Sequence, residues 1–310
     1  MNTRKKKKII LGVILGFVLL ILGSLVTIPA LVMNSLVNMH VDFNEVWTAE
    51  DFGVEAEQFF VTTDDEIKIS AYEVSVENPK AIIICISGIH NPSATVYFGH
   101  ARLFKENNYA TILFDMRAHG ESEGEMICLG YKEYLDTKAI VQHIKADPAY
   151  SNIPIVVFGL SMGGTTAINS IGEIPEIDGL VSLSAFSSVE DVFYEALASQ
   201  APDFLAKMVK PFVPLVAFAK YRVNIWSIKP VEEIQKLGNK PALIMHSRED
   251  SEVPYANFER IIHHAPSHVE TFVREGDIHS ITVSFTEPEK DAEYSARILD
   301  FLESNFSKRK

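Results

Sequence analysis

Pro154-Ile155-Val156-Val157-Phe158, then Gly159-Leu160-Ser161-Met162-Gly163, then Gly164-Thr165-Thr166-Ala167-Ile168, is the stretch on which the fold turns. Its first segment is short, apolar and β-branched, the pattern of a fully buried strand. Its last segment reads as the opening turns of a helix. The G-x-S-x-G between them sets a serine on a tight strand-to-helix turn. Backbone is strained there, and only glycine tolerates the close approach on either side. Such a turn lifts the hydroxyl out of the sheet, near the positive end of the helix. Ser161 is the candidate nucleophile.

A serine alone is inert, so a base and an orienting acid are expected downstream. The strand-like run Pro241-Ala242-Leu243-Ile244-Met245-His246 leads into Ser247-Arg248-Glu249-Asp250-Ser251-Glu252-Val253-Pro254. Asp250 follows that strand on the edge where Ser161 emerges in a parallel sheet. Glu249 and Glu252 are rival carboxylates in the same loop. The base candidate is His279, in the glycine-led loop Gly276-Asp277-Ile278-His279-Ser280 after the run 268–273. An imidazole there can take the Ser161 proton while its other nitrogen donates to Asp250 and fixes the tautomer. His263, His264 and His268 belong one element earlier and read as solvated.

Strand-like runs recur at 81–86, 110–115, 155–158, 180–183, 242–245 and 269–273, after an antiparallel opening hairpin of 57–61 and 67–76. Helical patterns fill the gaps, notably at 132–144, 165–171, 257–264 and 290–306. This alternation predicts an α/β fold with a mostly parallel, doubly wound sheet.

The chain order Ser161, Asp250, His279 is the one expected of α/β hydrolases. Residues 57–306 resemble that fold, and most closely the serine hydrolases grouped with lysophospholipases, esterases and serine aminopeptidases. Two further stretches carry the resemblance: Ile82-Ile83-Ile84-Cys85-Ile86-Ser87-Gly88-Ile89-His90 and Asp115-Met116-Arg117-Ala118-His119-Gly120-Glu121-Ser122. The first is similar to the strand and loop that supply half of the oxyanion hole, with Ser87-Gly88 where relatives have His-Gly. The second is similar to a D-x-R-G-H-G-x-S loop, with Ala118 in place of the first glycine. The resemblance implies oxyanion donors at the backbone amides of Met162 and Ile89. It gives Asp115, Arg117 and His119 a bracing role, and it places an inserted helical lid at about 186–237.

The amino terminus reads separately. Arg4 and Lys5 to Lys8 precede an uncharged apolar stretch from Ile9 to Met33. A membrane-crossing helix needs ~20 apolar residues, whereas a cleavable signal has a core of about 7–15 and a small-residue cut site. The expectation is a basic cytoplasmic tail (1–8), a single-pass transmembrane signal anchor (9–33), a linker (34–55) and an outward-facing hydrolase domain (56–310) in the cell membrane. Trp47 is expected near the membrane interface.

Formal charge is −13, and removing the five basic tail residues from the 28 leaves 23 against 41 acidic, a balance of −18. That composition argues against nucleic acid or an anionic membrane surface as the main substrate. Neither a metal-ligand cluster nor a phosphate-cradling glycine loop stands out, so no cofactor or metal is expected. Cys85 reads as a small core residue, and two cysteines do not make a disulfide framework. The resulting expectation is a membrane-anchored serine hydrolase acting on a small or lipid-like carboxylic ester through an acyl-enzyme. Peptidase, thioesterase or acyltransferase chemistry on the same machinery stays open, as does a non-catalytic binding module of this fold.

Overall fold

The computed structural model describes residues 3–89, 93–222 and 224–307. Eight strands form one sheet in the order β1-β2-β4-β3-β5-β6-β7-β8. They are β1 (Glu57–Thr62), β2 (Lys68–Val74), β3 (Ile82–Ile86), β4 (Ala110–Phe114), β5 (Ile155–Leu160), β6 (Gly179–Leu183), β7 (Ala242–Ser247) and β8 (Glu270–Arg274). β2 is antiparallel to both β1 and β4. Every other pairing is parallel. Each residue of β3 to β7 is buried, as parallel strands covered on both faces must be. β1 alternates between exposed and half-buried residues, the mark of an edge.

Among the described residues, ten helices cover the sheet or extend from it: α1 (Thr3–Val37), α2 (Phe98–Glu106), α3 (Tyr134–Ala146), α4 (Met162–Glu173), α5 (Val189–Ala198), α6 (Asp203–Val209), α7 (Val213–Val216), α8 (Pro230–Glu233), α9 (Ala256–His264) and α10 (Ala292–Phe306). Successive β3 residues serve opposite layers. Ile82, Ile84 and Ile86 pack with α3, α4 and α9, whereas Ile83 and Cys85 pack with α2 and α10. β3 lies between β4 and β5, so the crossovers after β3 and after β5 leave in opposite directions. A crevice opens at the carboxyl ends of the strands where they part, and Gly88-Ile89 and Ser161 both lie there.

α1 divides into two parts. Side chains from Lys7 to Gly23 are all exposed, whereas Leu25, Pro29, Met33 and Val37 form a buried stripe with i, i+4 spacing. That stripe packs on α6, α7 and the π-helical turn Ala217–Tyr221. The segment Lys7–Val37 is long and apolar enough to cross a membrane, with a mean hydropathy of 3.0 over 18 residues.

Three sequence expectations are adjusted here. The helix continues past Met33 to Val37, because Asn34 and Ser35 face outward while Leu36 and Val37 turn toward the body. Residues 38–55, expected as a linker, lie against the hydrolase domain. The Val41 amide donates to Ala118 O at 2.8 Å, and Ala49, Phe52 and Val54 are buried in the core. Trp47, expected near the membrane interface, is half-buried against that core, and its amide donates to Thr95 Oγ1.

Candidate active site

Ser161 sits at φ 58°, ψ −121°, between the end of β5 and the start of α4. A side chain rarely adopts that backbone, and its neighbours are glycines for a visible reason. A Cβ on Gly159 would lie 2.1 Å from Gly163 O, and one on Gly163 would lie 2.1 Å from Ile86 O and 2.4 Å from Ser87 O. The turn therefore presses its backbone against the loop leaving β3. Gly88 in that loop runs beside the serine, where a Cβ would stand 3.5 Å from Ser161 Cβ. Met162 opens α4, so its amide has no partner within the helix. Met162 and Ile89 line one cavity with Ser161. His90, the last residue of the sequence stretch read as the oxyanion loop, lies outside the described residues.

Asp250 and His279 meet directly. His279 Nδ1 lies 2.8 Å from Asp250 Oδ2, and the carboxylate can only accept, so the proton is on Nδ1. The other carboxylate oxygen, Oδ1, accepts the amides of Glu252 and Val253, both at 2.9 Å. Asp250 is buried, which alone would raise its pKa; the His279 hydrogen bond and charge and the Val253 amide hold it below the usual carboxylate range. Burial lowers the His279 pKa, but the bond and charge of Asp250, then the charges of Glu252 and Asp277, raise it above the ordinary imidazole value. Of the rival carboxylates, Glu249 is exposed, and Glu252 holds its Oε2 3.9 Å from His279 Nε2. His263, His264 and His268 are exposed, away from the crevice.

Two ties hold Ser161 and His279 to adjacent residues. The Ser161 amide donates to Leu183 O at 2.8 Å, and Ser184 Oγ donates to His279 O at 2.6 Å. Ser247 Oγ adds a 2.6 Å bond to Ile278 O. Consecutive Cα atoms are about 3.8 Å apart, so the backbones of Ser161 and His279 hang from neighbouring points at the end of β6. Sequence reasoning does not reach Ser184 and Ser247. Their one signal is a hydroxyl at the carboxyl end of a buried strand.

The Asp115–Ser122 loop braces the fold from behind. Arg117 spans Asp136, fully buried, and Asp65 through paired contacts of 2.7–2.9 Å. His119 is buried, its Nδ1 paired with Arg117 O and its ring stacked on Phe43. Asp115 accepts the Ala94 amide. Ala118 has φ 61°, a left-handed backbone that glycine adopts more readily.

The cavity over Ser161 encloses about 200 Å³ and is walled by Leu129, Phe186, Val189, Val192 and Phe193, with Glu252 at its rim. Val32, Met33 and Leu36 of α1 complete the wall. Nothing in the sequence announces that contact, because the partners stand more than 50 residues away.

Comparison with known proteins agrees with this architecture. The model of the family described as serine aminopeptidase, S33, matches residues 77–242, more than half of the chain. The structure of esterase Pf2001 from Pyrococcus furiosus superposes with a TM-score of 0.65 at 26% identity, covering 86% of this chain and 98% of that one. An uncharacterized membrane protein of Saccharomyces cerevisiae is 25% identical over 152 residues, 48% of this chain and 52% of its own. Uncharacterized protein YqkD of Bacillus subtilis is 27% identical over 201 residues, 62% of this chain and 63% of its own. The chain thus spans between half and two thirds of the length of these two relatives. By fold and by family match, the chain belongs to the serine aminopeptidase S33 family of α/β hydrolases.

Proposed function

We propose that the protein is a membrane-anchored serine esterase. The observation that carries the reading is the hydrogen bond from His279 Nδ1 to a buried Asp250 carboxylate, beside a strained serine that opens onto an apolar cavity. Ser161 Oγ attacks the ester carbonyl while His279 Nε2 takes its proton. The amides of Met162 and Ile89 hold the oxyanion, worth roughly 3–4 kcal/mol per donor in comparable sites. His279 returns the proton to the departing alcohol, and water repeats the sequence on the acyl-enzyme. The carboxylate stabilises the imidazolium without becoming protonated. The cavity wall suits an acyl chain, and the helical insertion acts as its lid, excluding water during chemistry. Pf2001, called an esterase, points the same way. The basic residues in the first turns of α1 keep the amino terminus cytoplasmic and the catalytic domain outside.

Glu252 supports a second reading, because a rim carboxylate can hold the ammonium of an aminoacyl substrate. Labelling of the detergent-solubilised chain by a fluorophosphonate, lost in Ser161→Ala, tests the nucleophile. p-Nitrophenyl esters and aminoacyl p-nitroanilides, assayed side by side, separate esterase from aminopeptidase. Folded protein that is neither labelled nor active on esters would refute the proposal.

A further inference from the structure

α1 has two roles at once, because a helix able to cross a membrane also walls the cavity over Ser161. Counting ~20 residues for a hydrocarbon core of about 30 Å, a span that starts after Lys8 ends near residue 28. The body already packs on the helix from Leu25. The fully exposed part, Ile9 to Gly23, is therefore too short to hold the body clear of the lipid. Val32 lies four residues beyond position 28, about 6 Å at 1.5 Å per residue. That is within the headgroup layer of about 5–7 Å.

Two independent features fit this depth. The insertion beside α1 exposes Phe204, Leu215 and Phe218, each at least half accessible. Lys220 Nζ and Tyr221 OH reach Ala30 O and Asn34 Oδ1 on α1, tying the insertion to the helix at this boundary. In a chain of net charge −13, residues 203–222 carry Lys207, Lys210, Lys220 and Arg222 against Asp203. A basic segment with exposed apolar side chains is the composition of an interfacial element. Half-exposed Val32 and Leu36 on α1 and half-exposed Val192 with exposed Ala196 on α5 put one opening of the cavity between these helices, apart from the rim marked by exposed Glu252.

We propose that the carboxyl end of the membrane helix is the specificity-determining wall of the acyl pocket, and that the pocket draws a single-chain acyl ester sideways from the bilayer. Met33, buried in the same lining as Ser161, sets how far the chain extends, and Val32 guards the mouth. The inference deepens the esterase reading and rests on it.

The test uses the full chain in detergent micelles, with p-nitrophenyl butyrate and laurate. Met33→Phe should lower the laurate-to-butyrate ratio of kcat/KM about tenfold, close to the loss of two buried methylenes. Met33→Ala should move the ratio the other way, and Val32→Trp should lower it through the mouth. In nanodiscs of brominated phosphatidylcholine, Phe218→Trp should be quenched beyond the parent protein. An unchanged ratio in folded variants of both positions would overturn the pocket wall, and equal quenching would overturn the seating. A wild-type protein that cleaves neither ester would instead bring down the esterase reading beneath them.

Discussion

Replacing Asp250 by asparagine changes one oxygen for an NH₂ group and little else in shape. The amides of Glu252 and Val253 keep an acceptor, because the amide oxygen takes the place of Asp250 Oδ1. The opposite edge then offers N–H to His279 Nδ1, 2.8 Å away in the parent. Two donors cannot face each other, so Nδ1 becomes the acceptor and the proton moves to Nε2. A protonated Nε2 cannot take the Ser161 proton. The same exchange in a serine protease triad lowers kcat about 10⁴-fold, equivalent to roughly 5.5 kcal/mol.

The pH dependence gives a second readout. The neutral imidazole is the working form, so wild-type kcat/KM should fall as pH drops through a His279 pKa raised above 6.5. The Asp250→Asn side chain supplies no charge, so the acid limb should move to lower pH in the variant. For His279, stability runs the opposite way. The contribution from a raised His279 pKa is complete below the unfolded value and is lost as pH climbs through the folded one. The contribution from a depressed Asp250 pKa is present above the unfolded value and is lost as pH falls through the folded one. The assay is p-nitrophenyl butyrate hydrolysis across pH 5–9, with melting temperature as the control. Activity within tenfold of wild type, with an unmoved acid limb, would refute the assignment. Glu249→Gln should stay within about twofold, as an exposed substitution.

Three further outcomes are expected. Ser161→Gly should be more stable than Ser161→Ala by about 1 kcal/mol, because glycine relieves a positive φ at some cost in chain entropy; equal melting temperatures would remove the strain argument. Gly163→Ala should cost about 3 kcal/mol or more or prevent folding, since its methyl meets backbone oxygens. Gly88→Ala, whose methyl makes an ordinary contact, should fold, and urea denaturation of the pair checks the contrast. Arg117→Met should destabilise by roughly 3–5 kcal/mol, because it strands the Asp136 carboxylate in the core; a cost below about 1 kcal/mol would show that this carboxylate does not depend on it.

The sheet is legible because its central strands are uniformly apolar and are bounded by glycine, proline and polar turns. α2 does not stand out in the same way. Its buried face includes Gly99 and His100 and its start has no side-chain cap, so neither an apolar run nor a capping residue marks it. Ser161 can be read from local backbone demands alone. Choosing among Glu249, Asp250 and Glu252 cannot rest on residue type. It depends on a loop that turns one carboxylate inward onto two amides and leaves the other two outside. The end of α1 is hidden for another reason. Its apolar stretch reads as lipid-facing throughout, and only the packed body reveals that the last turns face protein.

The attachment of Ser161 and His279 to Leu183 and Ser184 has a consequence for how such a protein can diversify. The helical insertion proposed as the cap departs immediately downstream, after Ala185. The backbones of Ser161 and His279 thus share a mooring upstream of the junction. Caps of different length or sequence can be spliced in beyond it without changing the distance between the two. A chimera carrying a foreign cap between Phe186 and Leu237 would keep its reaction centre in register while acquiring a new appetite.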